Sequence, residues 1–164
     1  MSVCDVLYRT DSTSRKLAML IDGDNVEARL LDKILEEASK HGAVTIRRIY
    51  ENWTNSQMSQ WRIVANKYAF QTPNQLNYTK GKNATDTFLI IDAMDMLHSG
   101  HIDGFCIVSS DSDFTGLAKR IREQGMFVMG MGKETTPESF RNACEIFTYV
   151  EILTDQPPIV VTEE

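Results

Sequence analysis

The chain has 164 residues, 42% hydrophobic and 24% charged, enough for one soluble α/β domain and too few for two comfortable ones. Seventeen Lys and Arg against 23 Asp and Glu leave a net charge of −6, the wrong sign for a protein whose main work is gripping nucleic acid through phosphates. A nucleic-acid enzyme is not excluded, since metal-binding acids inflate the negative count until a cation is bound.

No stretch approaches the roughly 18 apolar residues of a membrane span, and the opening MSVCDVLYRTDSTSRK has no apolar signal-peptide core. A cytoplasmic protein away from membranes is therefore expected. Cys4, Cys106 and Cys144 are an odd number without CxxC spacing, which points to neither disulfides nor zinc.

After a polar lead over residues 1–15, the apolar run 17–21 predicts a strand and 26–41 a helix, with Val26, Leu30, Ile34, Leu35 and Ala38 at helical spacing and Gly42 as its stop. AVTIRRIY at 43–50 has strand composition, and 57–70 carries Met58, Trp61, Ile63, Val64 and Ala65 on a second helix, with Trp61 in the core. Residues 71–82, rich in Asn, Thr, Pro and Gly, predict a loop with a short strand at 75–78. A helix at 85–99, a strand at 104–108, a helix at 113–124, a strand at 126–131, a helix at 137–144 and a last strand at 147–150 follow. This alternation specifies a three-layer α/β/α, Rossmann-like, mainly parallel sheet of about five or six strands. One domain is drawn over 16–153, and the tail 154–164 has the composition of a beginning linker, as in a fragment of a longer protein.

In open parallel sheets the ligand site lies beyond the carboxyl ends of the strands. The first strand runs straight into Asp22 and Asp24 in LIDGDN, and the strand 104–108 runs straight into Asp111 and Asp113 in SSDSDF. Each pair alone reads as helix capping, because Asp and Ser cap helices and acids gain from the helix dipole. Four carboxylates at one rim repel one another unless a cation separates them. A third segment adds Asp86: at about 100° per residue it falls amid Leu89, Ile90, Ala93 and Leu97, on the apolar face of its helix, while Asp95 lies opposite and Asp92 at the margin. An inward carboxylate needs a partner. Asp22, Asp86, Asp111 and Asp113, with Asp24 and Asn25 nearby, are hard oxygen donors without His or Cys, a set suited to Mg²⁺ or Mn²⁺ and to hydrolysis of phosphate esters.

IDGDN after the first strand, Lys80-Gly81 with Asp86 in KGKNATD, SSDSDF and the close PESFRNACEIFTYV together resemble the NYN domain of the PIN-like nuclease superfamily, in its bacterial LabA-like (DUF88) branch. The resemblance implies a Rossmann-like sheet, an acidic Mg²⁺ site and ribonuclease activity. It places Asp22, Asp86, Asp111 and Asp113 in the acidic site and Asn25 with Ser109 or Ser110 beside it. KGKNATD departs from the family's shorter K-G-x-D spacing, which leaves the place of Asp86 in the motif open.

For single-stranded RNA, Lys80, Lys82, Arg47, Arg48 and Lys133 are candidate phosphate contacts, and Trp53 and Tyr78 candidate stacking platforms, each weighed against an ordinary surface or packing role. His41, His98 and His101 sit at helix ends, and MGMG at 129–132 lacks dinucleotide or P-loop spacing. A homodimer would help a domain this small grip a polymer, and a C-terminal RNA-binding module beyond this chain would supply the missing positive charge. Two rival functions remain open: a haloacid-dehalogenase-like phosphatase with Asp22 as nucleophile, and a PIN-like domain that binds RNA or protein without turnover.

Overall fold

A strand buried on both faces needs apolar side chains at odd and even positions alike, and LAMLI supplies them. In the computed structural model, which describes residues 15–52, 59–73 and 84–155, this run is the core of β1 (Lys16–Asp22). Leu17, Met19 and Ile21 face one cluster, with Leu31, Ile34 and Ala38 of α1 (Leu31–Ser39) and Trp61 and Ala65 of α2 (Ser59–Lys67). Ala18 and Leu20 face the other, with Leu89, Ala93 and Met96 of α3 (Ala84–Ser99) and Leu117 and Ile121 of α4 (Thr115–Glu123). The strand's period of two thus divides the core into two layers, and three layers of structure result. Among the described residues, no helix is long and apolar enough to cross a membrane.

With β2 (Ala43–Tyr50), β3 (Gly104–Val108), β4 (Phe127–Gly132) and β5 (Ile146–Tyr149), the sheet has five strands in the order β2-β1-β3-β4-β5. Every pairing is parallel. The chain winds one way from β1 to β2 and the other way from β3 onward, so the switch point falls between β1 and β3. Register brings their ends level: Ile21 pairs with Val108, Val108 with Met131, and Asp22 with Tyr50.

The sequence places β2 and β3 with their observed bounds, and Trp61 is buried as expected. The helix expected over 26–41 starts later, with a 3₁₀ turn at Ala28–Leu30 before α1, because Asn25 folds back on Asp22 instead of entering a helix. The helix expected from 113 likewise begins as a 3₁₀ turn at Ser112–Phe114. α5 (Glu138–Ala143) lies inside the expected 137–144. The last strand ends one residue earlier than expected, and the chain turns at once into α6 (Val150–Asp155), an unexpected helix that takes in the first two residues of the expected linker. Leu153, buried against the β1 face, holds that turn in place. The short strand expected at 75–78 lies outside the described residues.

Candidate metal centre

Asp22 leaves β1 fully buried, at the level where Ser109 leaves β3. Its Oδ2 accepts from Asn25 Nδ2 at 2.7 Å and from Ser109 Oγ at 2.9 Å, whereas its Oδ1 is buried without a hydrogen-bond partner. Burial pushes its carboxyl up, the two hydrogen bonds act against that, and Asp24 and Asp111 add to the rise.

Ser109 also accepts from the Asp111 backbone N–H at 3.1 Å, and the Asp111 carboxylate then caps the 3₁₀ turn by accepting from Asp113 N–H at 2.9 Å. The capping role read from SSDSDF is therefore real, and the capping carboxylate of Asp111 also belongs to a cluster of three acids. Gly132 permits the arrangement: a Cβ there would stand 2.5 Å from the Ser109 carbonyl oxygen, so only glycine lets β4 end against this loop.

Asp86, in the first turn of α3, points inward as its helix angle predicts, with 8% of its surface exposed. One carboxylate oxygen from each of Asp86, Asp111 and Asp113 lies within 4.8 Å of the others. Asp86 is pushed up to about 7, first by burial, then by the charges of Asp22 and Asp111, and by a hydrogen bond with the Asp111 carboxyl that requires a proton on one of the two. Asp22 stands outside this tight threesome while remaining close enough to act on Asp86 electrostatically.

Sequence reasoning missed one acid. Glu51 follows β2 directly, is 5% exposed, and has Oε2 buried without a partner. Burial, then the charges of Asp24 and Asp22, push it up to about 8. Register puts it there: Tyr50 pairs with Asp22, so an acid at the next position reaches the same rim. Gly23 leaves room for it, since a Cβ at that position would stand 3.1 Å from Glu51 Oε2. Trp61 Nε1 donates to the Gly23 carbonyl at 3.1 Å, tying α2 to the loop between Asp22 and Asp24. Asp24 itself faces solvent and bonds with Asn52 and Thr85.

The donor set fits a hard divalent cation. It is all oxygen, three of its carboxylates converge, and two buried carboxylate oxygens lack a partner, a cost that a cation nearby would relieve.

The basic candidates fare differently. Arg47 donates to the carbonyls of Tyr68 at 2.9 Å and Val44 at 3.1 Å, and Arg48 pairs with Asp92 on α3 at 2.9 Å, so both guanidiniums are engaged by partners within the fold. Lys133 is exposed beside the site, its N–H donating to Ser110 Oγ at 2.8 Å. Lys80, Lys82, Trp53 and Tyr78 lie outside the described residues.

In fold, the chain is similar to VPA0982 from Vibrio parahaemolyticus, a protein of unknown function, with a TM-score of 0.66 and 18% identity over 83% of this chain and 93% of that one. In sequence, it is 28% identical over 124 residues to the uncharacterized protein MJ0482 of Methanocaldococcus jannaschii, covering 73% of this chain and 48% of the relative. The chain thus spans about half the length of the curated relative it matches. Residues 16–152 match the family described as the NYN domain. Since that match takes in all five strands and every acid of the rim, the chain belongs to the NYN domain family, a nuclease-like group.

Proposed function

We propose that the chain is a metal-dependent ribonuclease of the LabA-like branch that hydrolyses phosphodiester bonds in single-stranded RNA, using Mg²⁺ or Mn²⁺. The observation that carries this reading is the convergence of Asp86, Asp111 and Asp113, from two separate chain segments, to within 4.8 Å at the switch-point rim.

Those three residues would hold the cation. When bound, it supplies charge neutralisation for the phosphate and a lowered pKa for a coordinated water. Asn25 and Ser109 fix Asp22 in one orientation, and the Asp113 N–H fixes Asp111, so the acids are set before substrate arrives. Ionised carboxylates are acceptors only; a water bonded to them is oriented for attack on phosphorus, its proton passing to a carboxylate oxygen as the ribose oxygen departs. RNA as partner, a cytoplasmic address, a homodimer that helps a small domain grip a polymer, and an added RNA-binding module as the source of positive charge belong to the same proposal.

Full burial of Asp22, with one oxygen already accepting two hydrogen bonds, argues against its use as a phosphatase nucleophile. The test is cleavage of labelled single-stranded RNA with Mn²⁺ or Mg²⁺, with EDTA, and with Asp22→Ala or Asp111→Ala. The expected outcome is cutting that needs metal and is lost in both variants. Cutting that survives in the variants would come from a contaminant, and no cutting across varied RNAs would favour the binding-only reading.

A further inference from the structure

Beside the acids lies a cleft of about 220 Å³ that the catalytic reading leaves without a task. It shares two residues with the acid site: Asn25, which donates to Asp22 at 2.7 Å, and Ser110, the neighbour of Asp111. Val26, Leu30 and Val150 give it an apolar floor, while Arg29 and Lys133 bring two cations to its rim. Arg29 is paired with Glu27 there. Glu151, half-buried, accepts from the Glu134 N–H at 2.8 Å through Oε2, and its Oε1 is buried with no hydrogen-bond partner.

We propose that this cleft is a base-recognition subsite, holding the nucleoside next to the scissile phosphate. The proposal rests on the nuclease reading and adds to it where the neighbouring base sits and what selects it. An aromatic base has two apolar faces and a polar edge, which matches a floor of Val and Leu edged by Glu151, the second carboxylate of the cleft, Glu27, being paired with Arg29. A carboxylate only accepts hydrogen bonds, so Glu151 selects edges rich in N–H donors. Guanine, with a ring N–H and an amino group side by side, fits best. Lys133 and Arg29 meet the phosphate attached to that nucleoside, offsetting Glu27 and Glu151 in a chain that is otherwise acidic.

Two measurements test this. In EDTA, guanosine 5′-monophosphate titrated into the protein should shift the backbone amide resonances of Gly132, Lys133 and Val150, with uridine 5′-monophosphate binding more weakly and Val26→Trp, which fills the cleft, abolishing the shifts. With Mn²⁺, sequencing the ends of cut RNA should show guanine enriched beside the cut, the enrichment falling roughly tenfold in Glu151→Gln, as expected for loss of one good base contact. Metal-dependent cutting without cleft shifts and without base preference overturns the subsite and leaves the nuclease reading standing. Cleft shifts with no cutting of any RNA overturn the nuclease reading, and with it the place given to the scissile phosphate.

Discussion

Ser109 Oγ donates to Asp22 Oδ2 over 2.9 Å, a bond that joins the ends of β1 and β3 across 87 residues of chain. The same oxygen accepts from Asp111 N–H, so one hydroxyl positions two acids of the rim. Ser109→Ala should cost about 1–3 kcal/mol of stability, because it takes away one of the two hydrogen bonds to the buried Asp22 Oδ2 and leaves the Asp111 N–H without its acceptor. It should also weaken metal binding by about 10–100-fold, the usual effect of removing a group that orients ligands. Denaturant unfolding and a Mn²⁺ titration check both; a variant unchanged in metal affinity would show that Ser109 only packs.

The pH dependence of stability follows from Asp86 and Glu51. Their folded carboxyls titrate at about 7 and about 8, against ordinary values of 3.8 and 4.5, chiefly because of burial. Between those limits the folded protein holds more protons than the unfolded chain, so stability of the metal-free protein falls as pH rises, by up to about 1.4 kcal/mol per pH unit for each proton. In EDTA the Tm should decline across that window. Mg²⁺ or Mn²⁺ should flatten the decline, and Asp86→Asn or Glu51→Gln should each remove part of it while raising the metal-free Tm above neutrality. A metal-free Tm that climbs over this range would contradict the arrangement of acids.

Trp61 links packing to the site through its hydrogen bond to the Gly23 carbonyl. Trp61→Phe keeps an aromatic ring in the core and deletes the donor, at an expected cost of about 1–2 kcal/mol. Loosening the turn between Asp22 and Asp24 should lower Mn²⁺ affinity as well. Unaltered metal affinity in a destabilised Trp61→Phe would limit Trp61 to the core.

Arg48 is a candidate phosphate contact in the sequence and a tie in the structure, where it shares Asp92 Oδ2 with the Tyr50 hydroxyl at 2.9 and 2.7 Å. Arg48→Ala should therefore lower stability by about 1 kcal/mol, as for a partly exposed pair, and leave the salt dependence of RNA binding unchanged. A salt slope reduced by about one unit would restore it as a phosphate contact.

The comparison of Asp86 with Glu51 separates what was legible from what was not. Asp86 sits among apolar residues at helical spacing, so its inward direction follows from the angle alone, and the structure buries it. Asp22, Asp111 and Asp113 stand at the ends of apolar runs, which in a parallel sheet means one common edge. Glu51 follows a strand whose middle carries two arginines, and nothing local marks its end as part of that edge. The partners of Arg47 and Arg48 were not legible for the related reason that a side chain's partner, here Tyr68 or Asp92, is a long-range fact.

Sequence by itself therefore determined the layers, the parallel order of strands and helices, and the acids that end β1 and β3, because hydrophobic period and chain direction are local properties. Tertiary structure alone decided that Asp22 stands apart from the Asp86, Asp111 and Asp113 threesome, that Glu51 joins the rim, and that a cleft opens between Asn25 and Val150. Those depend on strand register and on how helices seat against the sheet, where a shift of a few ångströms makes or removes a ligand distance.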